Sequence, residues 1–167
     1  AAEMATPHAH PPSPGFTCPS ARMLQWDKQE AEQKKIVKQT APLQSELQQW
    51  PVQLHLVPSV APYFRNADLF LVADCVPFAY ANFHQDFLKG ENRAIAVGCP
   101  KLDDAQAYVE KLTQIITTAQ PKSITIVNME GPCCFGLVRI AQLAIEQSGQ
   151  DVPCKTVTIS IRGDKLC

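Results

Sequence analysis

From Val52 onward the sequence alternates short apolar runs with longer amphipathic stretches, and this alternation restricts the fold more than any other feature. Five strand-like runs stand out: Val52–Val57, Leu69–Ala73, Ala94–Val97, Ser123–Val127 and Thr156–Ile161. The second to fourth are short and mostly apolar, as in strands buried on both faces. The intervening stretches have helical spacing. Phe78, Ala81 and Phe87 mark one between Phe78 and Leu88. Asp103 or Asp104 is placed to start a second, whose stripe is Ala107, Val109, Leu112, Ile115 and Ile116. A third runs from Cys134 to Gln147, with Leu137, Ile140, Ala141, Ala144 and Ile145 inward and Gly149 just past its end. Strands alternating with helices imply βαβ units with right-handed crossovers. The expected fold is α/β: a mainly parallel sheet of about five strands within 52–163, helices on both faces, flavodoxin-like. Analogy suggests the strand order 2-1-3-4-5.

The rest of the chain has a different character. Residues 1–22 are rich in Pro and Ala and read as an extended arm or linker. His8 and His10 belong to it and read as a solvated tail, and Cys18 in Cys18-Pro19 closes it. Residues 23–50 form a polar segment with helix-friendly composition. Asp27 is placed to cap a helix to about Lys38, and Gln44 to Trp50 suits a short turn before Pro51. The α/β domain is expected over 51–167.

Composition sets the outer limits. The 167 residues suit one domain, and 46% hydrophobic with 19% charged residues is ordinary for a globular chain. A formal net charge of −1 argues against nucleic acid or an anionic membrane as the main partner. No apolar run reaches the length of a membrane span, and the N-terminus lacks a signal-peptide pattern, so a cytoplasmic location is expected. The first residue is Ala, which points to a processed form or a piece of a longer parent. Seven cysteines are many for a chain without an export signal, and an odd number cannot all pair internally. In a reducing compartment they are metal ligands, redox thiols or small buried groups.

Their placement carries the functional signal. In parallel α/β folds, ligands bind beyond the carboxyl ends of the strands. After Leu69–Ala73 comes Asp74-Cys75-Val76-Pro77. After Ala94–Val97 comes Gly98-Cys99-Pro100. After Ser123–Val127 come Asn128-Met129-Glu130 and Gly131-Pro132-Cys133-Cys134-Phe135-Gly136. One such cysteine reads as packing; three at equivalent positions point to a shared site. Each turn also leads toward a helix N-terminus, where a thiolate is favoured. The chemistry that fits is iron ligation by cysteine sulfur, with Cys75, Cys99 and Cys133 as three ligands of a [4Fe–4S] cluster and Cys134 or Cys18 as the fourth. This requires the three strands to be neighbours. Cys154 and Cys167 lack such placement and read as structural or incidental.

Other chemistry is weakly signalled. The segment Gly131–Gly136 matches neither G-x-G-x-x-G nor a Walker loop. Asp74, His84 and Asp86 are possible acid–base groups without a motif around them. Three functional classes follow: an iron–sulfur module for electron transfer or reduction, a thiol-redox or small-ligand domain using Cys133 and Cys134, and a non-catalytic docking domain.

The runs Ala73-Asp74-Cys75-Val76-Pro77-Phe78-Ala79-Tyr80, Phe83-His84-Gln85-Asp86-Phe87-Leu88-Lys89-Gly90 and Ala96-Val97-Gly98-Cys99-Pro100-Lys101-Leu102-Asp103-Asp104 resemble a family of uncharacterised iron–sulfur proteins of anaerobic bacteria and archaea. Leu47-Gln48-Gln49-Trp50-Pro51-Val52-Gln53-Leu54, Tyr108-Val109-Glu110-Lys111-Leu112 and Glu130-Gly131-Pro132-Cys133-Cys134 extend the resemblance, which runs from about Ser45 onward. Members typically carry a two-cluster ferredoxin segment followed by a domain like this one. The resemblance implies iron–sulfur binding, electron transfer and a ferredoxin or ferredoxin-like partner, with Cys75, Cys99, Cys133, Cys134 and, more loosely, Cys18 carried over. The ferredoxin cysteine runs themselves are not present here.

Overall fold

The computed structural model describes residues 43–166. Its centre is a five-stranded sheet: β1 (Asp68–Ala73), β2 (Arg93–Gly98), β3 (Ser123–Met129), β4 (Cys154–Ile159) and β5 (Lys165–Leu166). The order is β2-β1-β3-β4-β5. The first four strands are parallel, and β5 turns back antiparallel on β4. Apart from their first residues, β1, β2 and β3 are buried throughout, which explains their unbroken apolar sequences.

Counted from Asp68, the order is the flavodoxin-like 2-1-3-4-5. The expected order instead counted Val52–Val57 as its first strand and would have placed that run between β1 and β2, which pair directly. The expected first strand, Val52–Val57, is not a strand. It touches β2 through one bridge, Gln53 opposite Val97, and then turns, with the Leu56 and Val57 amides donating to the Gln53 carbonyl. Pro51 and Pro58 bracket the run and limit its ladder. The expected last strand begins earlier and ends at Ile159. The hairpin to β5 through Gly163 was not anticipated.

The register shows what covers each face. Leu69, Leu71 and Ala73 of β1 pair with Ala94, Ala96 and Gly98 of β2. A Cβ at Gly98 would stand 2.6 Å from the Tyr108 hydroxyl, so this face lies under α2 (Ala105–Ala119). The helix α3 (Phe135–Ser148) packs beside α2. The opposite face carries Phe70, whose ring centroid lies 5.8 Å from that of Phe87. Here the expected helix Phe78–Leu88 divides in two. A single turn, α1 (Val76–Ala79), ends at extended Tyr80, and a π-helical turn spans His84–Leu88. Phe83, Phe87 and Leu88 are buried, while Phe78 is 91% exposed and Ala81 is also exposed.

The helix ends follow sequence chemistry. Asp104 is the N-cap of α2, its Oδ1 accepting from the Gln106 and Ala107 amides. Gly149 closes α3 in the left-handed conformation at φ 65°. The expected arm 1–22 and the helix from Asp27 to Lys38 lie outside the described residues. Gln44–Trp50 forms no regular turn. Instead the Gln49 side chain bonds both the amide and the carbonyl of Ile95 on β2.

Candidate functional site

Because β1 lies between β2 and β3, the three loops after these strands leave one edge of the sheet side by side. With neighbouring strands about 4.8 Å apart, their first residues are brought together. Cys75 follows β1, Cys99 follows β2, and Cys133 and Cys134 follow β3 in the short 3-10 turn Pro132–Cys134. Cys75 is exposed, Cys99 and Cys133 are half-buried, and Cys134 is buried. The sulfurs of Cys133 and Cys134 are 4.0 Å apart. Cys99 and Cys133 both lie close enough to Cys75 for their negative charge to oppose its ionisation, and Cys75 and Cys133 act likewise on Cys134. Four cysteines from three loops therefore share one edge. Cys154 opens β4 opposite Ile124, at the amino end of the sheet, away from them. Cys18 and Cys167 lie outside the described residues.

The expected bias toward thiolate is not what the site provides at Cys75 and Cys134. Burial pushes the Cys134 thiol up to about 11, against a lowering contact with the Met129 backbone. The Cys75 thiol is also raised, first by the protein packed behind its exposed side, then by Cys99, Asp74 and Cys133. The reason is structural. The helix α1 after Cys75 is a single turn and offers little dipole, and like charges accumulate around it. These thiols hold their protons unless a cation displaces them. Among the described residues, no three His, Cys, Asp or Glu side chains are disposed around a single metal ion.

A polar network lies under the Cys75–Cys99 side. Tyr108 is fully buried, and its hydroxyl donates to Asp103 Oδ2 in a short hydrogen bond. His55 packs on the Tyr108 ring at 4.7 Å between centroids, with its Nε2 3.7 Å from Asp103 Oδ1. Burial, then Asp103, raises the Tyr108 hydroxyl far above its usual value, so it remains a donor. Gly98 makes room for this ring. Asp74 faces the same network. Its Oδ1 is buried without a hydrogen-bond partner. Burial raises its carboxyl, Gln53 opposes that, and Asp103 adds to it. Asp74 and Asp103 stood out as chain features, but the Tyr108–Asp103–His55 association had no motif. Only the i, i+5 placement of Tyr108 after Asp103 hinted at it.

The other proposed acid–base residues have structural partners. His84 Nδ1 accepts from the Glu46 amide at 3.1 Å. Asp86 accepts from the Tyr80 hydroxyl at 2.6 Å and from Lys165 in a short contact. These bonds, led by Lys165, lower its carboxyl pKa.

Large apolar side chains project around the cysteine edge. Phe78 follows Cys75 in the chain, Leu102 follows Cys99, and Phe135 follows Cys134; they are 91%, 80% and 56% exposed. The arrangement offers clustered sulfur donors within an apolar rim. The turn after β1 reads Asp74-Cys75-Val76-Pro77 and does not carry the glycine fingerprint of a dinucleotide-binding turn. Among the described residues, no helix is long and apolar enough to cross a membrane.

Comparison with known proteins agrees with the architecture. A family model described as a Rossmann-like domain matches residues 61–166. An uncharacterised protein of Archaeoglobus fulgidus is 28% identical over 118 residues, covering 71% of this chain and 81% of that protein. No solved structure is matched.

Proposed function

The chain belongs to the Rossmann-like domain family, and on that premise we propose that it is an iron–sulfur module serving electron transfer or a ferredoxin-linked reduction. One observation carries the reading: Cys75, Cys99, Cys133 and Cys134 reach the same sheet edge from three adjacent parallel strands. Packing alone would not favour four cysteines at one edge with only one of them buried.

The donor set suits a cluster better than a lone ion. A [4Fe–4S] cluster takes four thiolates spread over four irons, so its ligands need not surround one point. Bound there, it would supply one-electron chemistry. Cys75, Cys99 and Cys133 are the first three ligands of the proposal, with Cys134 or Cys18 as the fourth. Cationic iron would also favour the thiolates against the burial, and then the neighbouring negative groups, that keep the Cys75 and Cys134 thiols protonated. The exposed Phe78, Leu102 and Phe135 suit an electron-carrying protein such as ferredoxin, whose contact would bring a donor close to the sulfurs.

A second reading rests on the 4.0 Å separation of the Cys133 and Cys134 sulfurs, which favours a thiol-redox pair. It is the weaker one, because a thiol raised to about 11 is a poor nucleophile at neutral pH. Anaerobic reconstitution with iron and sulfide separates the two. The cluster reading expects near-stoichiometric iron and an electron paramagnetic resonance signal on reduction. Single changes to Ser at Cys75, Cys99 and Cys133 should each lower the iron content, and C18S against C134S identifies the fourth ligand. Unchanged iron in all these variants, or a colourless protein with free thiols, would remove the cluster.

A further inference from the structure

A cleft of about 380 Å³ opens between α2 and α3, beside the loops that follow β2 and β3. Its volume is in the range of small-molecule sites. Val109, Ile140 and Leu143 give it an apolar wall, and Lys101 and Arg139 supply two cations. Cys133 lies on its border, so the cleft adjoins the cysteine edge.

The balance of charge in the cleft is what sets it apart. No acidic residue lines it. The carboxylates nearest in sequence have other partners. Asp103 accepts from Tyr108, Asp104 caps α2, and Glu110 accepts from the Gln106 side chain at 3.1 Å. Among the described residues, neither Lys101 nor Arg139 has a hydrogen-bond or ion-pair partner. Two cations on the lining of an apolar cleft that no carboxylate lines, neither of them ion-paired among the described residues, make the cleft locally positive. Gly136 lines the cleft and lets the loop after β2 come close to α3. A Cβ there would come within 3.1 Å of Pro100 Cγ, where the loop after β2 meets α3.

We infer that this cleft binds a small organic anion, with its apolar body against Val109, Ile140 and Leu143 and its charged group between Lys101 and Arg139. Carboxylate and phosphoryl groups share the necessary chemistry: both accept charge-assisted hydrogen bonds, and both match the fork of Arg139. The site goes beyond the cysteine reading and does not need it, since none of the binding groups is a thiol. Where iron is bound, a molecule seated here would lie next to the cluster.

The test is titration of the full chain, followed by heteronuclear NMR, with benzoate, phenyl phosphate and neutral benzamide as probes. At least one of the two anions should shift the amides of Gln106, Gly136 and Arg139 in a saturable way, while benzamide should not. The tighter anion identifies the preferred headgroup. R139Q and K101Q should each weaken that binding about tenfold, the order expected for one charge-assisted bond. K122Q, at the amino end of β3, should leave it unchanged, and the variants' own spectra report whether they fold. Three results would overturn the site: no saturable shift with either anion, equal shifts with benzamide, or undiminished affinity in both cleft variants. Iron content is measured separately, so a failed cluster and a failed cleft give different results.

Discussion

Asp74 and Asp86 stand at either end of one short connection, yet their surroundings are opposite. Asp86 belongs to a completed cluster. Tyr80 and Lys165 bond it, Arg93 donates to its backbone carbonyl, and the rings of Phe70, Tyr80 and Phe83 pack on the adjacent Phe87. Lys165 also lies over the Tyr80 and Phe87 rings. Asp74 sits at the cysteine edge with one buried oxygen unpaired and with Asp103 and Cys75 as neighbours. The aromatic face is organised for stability. The cysteine edge leaves several acidic groups close together and polar capacity unused, an arrangement associated with binding sites more than with packing.

The contrast can be broken first on the aromatic face. Phe87 is 4% exposed and touches three other rings, so F87A should lose about 3–5 kcal/mol in urea unfolding. A loss below about 1 kcal/mol would mean that this face is not the stabilising one. Next comes the support under the cysteine edge. G98A drives a methyl into the Tyr108 hydroxyl and should cost about 1–3 kcal/mol. Adding Y108F should not recover that loss, because the ring carbons Cε2 and Cζ would still stand 2.7 Å from the methyl.

The two carboxylates sharpen the comparison through pH. Asp86 has a lowered folded pKa, so its contribution is present above the unfolded value of about 3.9 and is lost as pH falls through the folded value. With the pair partly exposed, D86N should cost no more than about 1 kcal/mol at neutral pH, and the difference from wild type should vanish in acid. Asp74 has a raised folded pKa. Its contribution is complete below the unfolded value and is lost as pH rises through the folded one. D74N should therefore have the smallest effect and the opposite sign, gaining stability on wild type as pH rises. Parallel pH profiles for the two variants would erase the distinction.

The sequence showed the parallel core well, because strands buried on both faces must be apolar at every position. The runs that became β1, β2 and β3 could hardly be read otherwise. The Gly149 stop was equally local and legible, and the start of α2 was narrowed to Asp103 or Asp104, of which Asp104 is the cap. Val52–Val57 had the right composition but lay between prolines, and composition alone does not reveal whether a ladder can form. The spacing of Phe78, Ala81 and Phe87 does not reveal the apolar face of this stretch, because Tyr80 interrupts the helix and leaves Phe78 outward and Phe83 inward. At the site, the cysteine edge was visible because topology places loop residues by strand number. The thiol energetics were not, since they depend on how short α1 is and which acids stand nearby. The Tyr108–Asp103–His55 network and the cleft between α2 and α3 join distant residues and leave no periodic trace.

Gln49 has a consequence for the outer margin of the sheet. β2 is an edge strand, and an open edge invites another chain to pair with it. The Gln49 amide is chemically a peptide group, and it presents one donor and one acceptor to Ile95 as a neighbouring strand would. The bridge between Gln53 and Val97 occupies the same margin farther along. At the far side, the two-residue β5 closes the ladder after a short distance and carries Lys165 at its start. One side chain and one short bridge thus stand in for a missing strand along the β2 margin.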